Sequence, residues 1–378
     1  MKKILFISDM LCQKNIGASA LSYTHLNSLK KINNIEVDVI SLNGKNNIII
    51  QDVENINSYK SKLGLLNNLI QLNTPFINNS IINYIIEKIN NIRYDYIFID
   101  NSYFGKLVYK IKKNTNAKVI TFYHDIKRNL CLQLLKEKGM SYLPFYIGYI
   151  YNEGVNAKYT DYNITLNTRE SNMLNKYYGI STDYELPIVI NDFYQEGKHV
   201  KSLSKKILFV GAYYAPNNNG LIWFIDNVIP NIKEDIELQV VGKNMEKIKD
   251  EVNSNKVNII GSVDDLSAYY KESDFVIEPI FQGAGMKVKT AEAMMFGKVI
   301  LGTEEALEGY KNEINNRKLM VFECNTADEF SKTINDIYDG KIKIEKFNKD
   351  IRENYIENYS QESAKKMLEN ILFNKKEK

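Results

Sequence analysis

The chain has 378 residues, enough for two domains and too many for one small core. With 44% apolar residues, 25% charged residues and a net charge of +3, it has the composition of a soluble globular protein. Lys and Glu are interspersed, without the basic stripe of a nucleic-acid binder. The cysteines Cys12, Cys131 and Cys324 and the histidines His25, His124 and His199 show neither disulfide nor metal-ligand spacing. No apolar run is long enough to cross a bilayer, and Ile4-Leu-Phe-Ile7 is too short for a signal peptide, so the expectation is a cytoplasmic protein.

Short β-rich runs at 3–8, 36–41, 94–100, 118–123 and 162–166 alternate with helical patterns in the first half. The same rhythm restarts at 206–211, 237–242, 257–261, 274–278, 298–302 and 318–322. This is α/β architecture, read as two Rossmann-like domains with parallel sheets facing across a cleft. The polar stretch 191–204 reads as the linker, giving domains at 1–196 and 197–350. Helical segments at 344–359 and 361–373 close the chain, and residues 351–378 are expected to pack back on the first domain. The segment 142–151, Tyr-Leu-Pro-Phe-Tyr-Ile-Gly-Tyr-Ile-Tyr, reads first as a core helix. With Lys136, Lys138 and Lys158 nearby, the alternative is a helix lying against a membrane that bears a lipid-linked acceptor.

The segment richest in chemistry runs from Phe281 to Ala293. Gly283-Ala284-Gly285-Met286-Lys287-Val288-Lys289 follows the apolar run ending at Glu278 and opens a helix that stops at Gly297. Unpaired N–H groups at a helix start carry partial positive charge, so Lys287 and Lys289 are badly placed unless an anion such as a diphosphate shares the loop. Glu292, one turn into the helix, can accept from a ribose diol, or can simply sit well near a helix N-terminus. Gly211 ends the first strand of the second half and allows close backbone approach. The following Ala-Tyr-Tyr-Ala-Pro-Asn-Asn-Asn run reads as a turn with Asn caps. In the first half, Asn15-Ile16-Gly17-Ala18-Ser19 could admit a ligand or cap a helix, and His124-Asp125 follows a strand. No Asp-x-Asp triplet, no G-x-x-x-x-G-K-[ST] and no G-x-G-x-x-G after the first strand is present, which disfavours a metal-held diphosphate, a P-loop and a dehydrogenase.

Phe209-Val-Gly211 with Pro216-Asn217, the Val241-Gly242 strand end, Gly261-Ser-Val263-Asp-Asp265-Leu266, Pro279, Gly283 through Ala293, Gly297-Lys298 and Gly302-Thr303 together resemble glycosyltransferase family 4 of the GT-B fold. The likeness is strong from Lys206 to Gly309 and diffuse in the first half. It implies a retaining transferase that needs no metal or other cofactor. Such an enzyme moves a sugar from a nucleotide diphosphate donor to a glycan or lipid-linked acceptor in surface-polysaccharide synthesis. The resemblance puts Glu292 on the ribose, Lys287, Lys289 and Gly211 on the diphosphate, Val263 at the base and His124 at the transferring sugar. Gly17, Gly242, Gly285, Met286 and Val288 complete the expected donor-binding set. Many members carry two glutamates eight residues apart, and the first position here is Ala284. A branch with G-[SA]-G-x-[RK]-x-K also lacks it and uses the paired cations. Two other readings stay open: a nucleotide-sugar epimerase of GT-B-like fold, and a non-catalytic transferase-like partner subunit.

Overall fold

The computed structural model describes residues 1–12, 17–43, 49–58, 62–197, 202–283 and 285–373. It divides into two compact units: Met1–Pro187 together with the chain from Ala364 onward, and Ile188–Ser363.

The first unit carries β1 (Lys2–Ser8), β2 (Ile35–Asn43), β3 (Glu54–Asn57), β4 (Tyr96–Ile99), β5 (Lys118–Tyr123), β6 (Tyr162–Thr165) and β7 (Tyr184–Glu185). They form one seven-stranded sheet in the order β3-β2-β1-β4-β5-β6-β7, every pair parallel. Parallel strands need crossovers, and the crossover helices cover both faces. That is why Ile4, Leu5, Phe6 and Ile7 are all fully buried and read as an unbroken apolar run. The edge strands β3 and β7 were not legible: one is Glu-Asn-Ile-Asn and the other has two residues, so neither carries an apolar signature.

The second unit carries β8 (Lys206–Val210), β9 (Glu237–Val241), β10 (Val257–Gly261), β11 (Phe275–Glu278), β12 (Ile300–Gly302) and β13 (Val321–Glu323). Its six-stranded parallel sheet has the order β10-β9-β8-β11-β12-β13. In each sheet the order reverses once, between β1 and β4 and between β8 and β11. Ligands of open parallel sheets gather outside the strand C-termini at that reversal.

The units divide before Ile188, where the polar run had placed the boundary at 196/197. Val189 is buried, Ile190 bridges Ser360, and its carbonyl accepts from Tyr355 Oη at 3.0 Å, while Asp192 accepts from Arg352 Nη1 at 3.0 Å, so the chain is anchored in the second unit before and into the polar stretch. The helix Lys349–Asn358 stays with that unit. Only the closing helix, Gln361–Phe373, serves the first unit, burying Leu368, Ile371 and Leu372. The carbonyl of Leu372 accepts from Lys2 Nζ at 2.5 Å and from Tyr96 Oη at 2.6 Å.

The aromatic segment 142–151 is a core helix only in part: Tyr149 packs edge to face on the buried Tyr103 at 5.0 Å. It opens the helix Leu143–Tyr159, where Gly148 is the only buried residue before Asn152. Leu130, Leu132, Met140, Ile147 and Tyr151 are exposed on this helix, its predecessor Lys127–Lys138 and the turn Gly139–Tyr142 between them. The helix hides its polar side instead, because Asn152, Glu153 and Asn156 face buried partners. No described helix is long and apolar enough to cross a membrane.

Candidate donor-binding site

At the reversal point of the second sheet, β8, β9 and β11 deliver their C-terminal loops together. Gly211 N–H donates to Val241 O at 3.0 Å and Gly242 N–H to Gly261 O at 2.8 Å, so hydrogen bonding continues past the strand ends. A Cβ on Gly242, at φ +150°, would lie 2.0 Å from Gly211 O. Glycine at 242 is therefore demanded by the packing of the protein itself.

Beyond β11 the chain turns through Pro279 and Gly285, at φ +63°, into the helix Val288–Met295, with Lys287 as its N-cap. Lys287 Nζ lies 2.7 Å from Glu305 Oε1 and donates to Gly285 O at 3.1 Å. Lys289 Nζ donates to Asn217 Oδ1 at 2.9 Å and sits 5.0 Å over the Phe209 ring. Asn217 thus joins the two loops, since its amide also donates to Ala212 O at 2.8 Å. It does not cap its helix, whose N-cap is Tyr214.

The sequence reading missed the carboxylates that answer these lysines. Glu278, the last residue of β11, is fully buried; its Oε2 accepts from Thr290 Oγ1 at 2.6 Å, while Oε1 has no hydrogen-bond partner among the described residues. Burial pushes its carboxyl well above the ordinary range, opposed by the charge of Lys289, and burial pushes the Lys289 ammonium down, opposed by Glu278. The two lysines at the helix start are therefore partly balanced from within, by Glu305 and Glu278. Glu292 is held by Tyr270 Oη at 3.0 Å, with its carboxyl raised by burial. Tyr270 itself stacks on Phe296 at 4.5 Å and 10°.

The other expected positions divide. Gly211, Gly242, Gly285, Lys287, Val288 and Lys289 lie on these converging loops. Val288 is exposed, and Val263 is half-buried in the turn after β10, tied to the β9 loop where Ser262 Oγ accepts from Asn244 N–H at 2.9 Å. The Met286 side chain is buried against Gly309, where a Cβ would lie 2.5 Å from its Cγ. Ala284 and residues 13–16 lie outside the described residues, and Gly17 begins the helix Gly17–Lys30 of the first unit.

His124 belongs to a second cluster, at the reversal point of the first sheet. Its Nε2 lies 3.1 Å from Asp100 Oδ1; a carboxylate only accepts, so Nε2 carries the proton. Asp100 also accepts from Ser8 Oγ at 2.7 Å, and His25 Nδ1 lies 3.9 Å away. Burial favours the neutral acid, but the His124 and His25 partners outweigh it and hold Asp100 below the usual carboxylate range. Beside it, Asp9 accepts from Asn101 and Tyr103 and is pushed up by burial to about 6. Asp9, Asp100 and Glu278 shared one legible signal: an acid ending or directly following an otherwise apolar strand.

Two parallel-sheet Rossmann-like units, each with its strand order reversing once, define the GT-B fold, and solved structures share it along nearly the whole chain. One is the lipopolysaccharide outer core galactosyltransferase WaaB in its apo form (14% identity, 99% of this chain and 100% of that one, TM-score 0.67). Another is the Anabaena protein HepE in complex with UDP and glucose (13% identity, 99% and 100%, TM-score 0.61). Residues 204–339 match the family model described as glycosyl transferases group 1, which takes in β8 through β13 and the whole cation loop. An uncharacterized 44.6 kDa protein in the cps region of Klebsiella pneumoniae is 36% identical over 116 residues, a match that covers 27% of this chain and spans 30% of that protein.

Proposed function

We propose that this chain is a retaining, metal-independent glycosyltransferase that takes a sugar from a nucleotide diphosphate donor to a glycan or lipid-linked acceptor in surface-polysaccharide synthesis. The observation that carries this reading is the pair Lys287 and Lys289 at a glycine-flanked helix start on the sheet's reversal point. The group 1 match, and the cps-region location of the Klebsiella relative, support the class and the setting. In this proposal the two ammonium groups and the helix N–H groups take the charge of the departing diphosphate. Glu292 accepts from the ribose, Val263 packs on the base, and His124 meets the transferring sugar. The anomeric carbon to phosphate-oxygen bond breaks as the acceptor oxygen bonds to the same face, and the acceptor proton passes to the departing phosphate oxygen. The exposed Leu130, Leu132, Met140, Ile147 and Tyr151, with Lys136 and Lys138 beside them, support a peripheral contact with an anionic membrane on the acceptor's behalf.

The test is a thermal-shift screen against UDP, GDP, dTDP and ADP and their sugars, followed by calorimetry. One nucleotide should stabilise the protein and lose affinity in Glu292→Gln. No stabilisation by any of them would overturn the reading.

A further inference from the structure

A cavity of 260 Å³ lies beside the cation loop, lined by Pro216, Asn219, Gly220, Trp223, Phe281 and Gln282. Four of these line one side of the helix Ala215–Asn227 at positions 216, 219, 220 and 223, the three-and-four spacing of a helical face. The other two come from the loop that leaves β11. Helix and loop are locked at closest approach, since a Cβ on Gly220 would lie 1.7 Å from Pro279 O. Across that contact Trp223 and Phe281 meet edge to face, 4.6 Å between centroids at 77°, and Trp223 is backed by Phe330 at 6.1 Å. Phe281 nevertheless leaves 43% of its surface in water. Asn219 and Gln282 are exposed at the rim, and their side chains hydrogen-bond to no other described residue.

We propose that this cavity binds one neutral pyranose ring of a glycan. None of its six lining residues is charged, so it offers no counter-charge to a phosphate or a carboxylate. Two rings set at 77° leave no parallel slot for a flat base, whereas a puckered sugar can lay its C–H groups on one ring and its rim against the other. The free amides at the rim match its hydroxyls. The inference deepens the glycosyltransferase reading and rests on it: a glycan chain held here is tethered by the same loop that carries Lys287.

Trp223 is the only tryptophan in the chain, so its emission reports on this cavity alone. The full-length protein is titrated with methyl pyranosides of glucose, galactose, mannose and N-acetylglucosamine and with lactose and maltose, while UDP binding is followed separately by calorimetry. The expected result is a saturable change in Trp223 emission with at least one sugar. It should persist in Lys289→Met and be weakened at least fivefold in Phe281→Ala, with UDP affinity unchanged in the latter. An emission change with uridine or UDP and none with any sugar would assign the cavity to the base and overturn the proposal. No change with any probe would overturn it as well. No binding of UDP, GDP, dTDP or ADP with the sugar response intact would sink the donor-site reading and leave a glycan-binding site, so the two failures are distinguishable.

Discussion

Replacing Lys289 by methionine removes an ammonium and keeps most of the stem that lies over Phe209. At an effective dielectric of about 20, an ammonium about 4 Å from a phosphate oxygen contributes roughly 4 kcal/mol, and deleting one preorganised donor typically costs about 3–4 kcal/mol at the transition state. Turnover in Lys289→Met should therefore fall on the order of 100- to 1000-fold. The fold should survive, because Glu278 loses its counter-charge but can take a proton. Its carboxyl is already raised by burial, and removing Lys289 raises it further. A raised folded-state carboxyl binds protons that the unfolded chain has released. Stability of the variant should then be intact at acid pH and decline as pH rises through the folded value of Glu278. The double variant Glu278→Gln with Lys289→Met should lose that decline yet stay inactive. The assay is turnover with the donor found by thermal shift, alongside calorimetric unfolding from pH 5 to 9. If the double variant regained turnover, Lys289 would serve only to balance Glu278, and the donor-site reasoning would fail.

Further expectations bear on the same surfaces. Glu305→Gln removes a negative charge that competes with the diphosphate for Lys287; a unit charge about 10 Å away at an effective dielectric of 20 amounts to roughly 1–2 kcal/mol, so calorimetry should show several-fold tighter nucleotide binding. Gly242→Ala should destabilise the second unit and abolish nucleotide binding, seen as a lowered melting temperature that UDP does not raise, since its Cβ would meet Gly211 O. In the first unit Glu153, held by Ser102, Tyr178 and the Lys127 N–H, is pushed up by burial to about 7, so stability should fall as pH rises from about 4.5 to 7; calorimetric unfolding of Glu153→Gln should show a flatter dependence. Activity should withstand EDTA, and loss with rescue by a divalent cation would contradict a side-chain-neutralised leaving group.

The alternation of strands and helices was legible because parallel strands buried on both faces leave continuous apolar runs, as in 118–123, which is β5 to the residue. What stayed hidden lacked that signature. The edge strands β3 and β7 bury little, and the domain boundary was misplaced because 188–192 is held by Tyr355 and Arg352, partners far along the chain. The segment 142–151 misled for the opposite reason: its aromatics are half-buried or, at Tyr151, exposed, with Tyr149 packing on the core, while Asn152, Glu153 and Asn156 are buried, an inversion that composition cannot show. At the candidate site, the loop and its lysines announced themselves through glycine spacing. Glu278, Glu305 and Asn217 did not, since a partner 11 to 72 residues away is a matter of tertiary placement.

The carbonyl of Leu372 receives hydrogen bonds from Lys2 and Tyr96, and the first of these spans 370 residues. During synthesis the opening sheet therefore emerges first and is completed last. Until the closing helix arrives, the apolar surface meant for Leu368, Ile371 and Leu372 faces the nascent chain's surroundings, while the second unit can already form from contiguous sequence. A chain released after Ser363 should hold a finished second unit and an unfinished first one, and loss of the last dozen residues should injure the beginning of the protein more than its end.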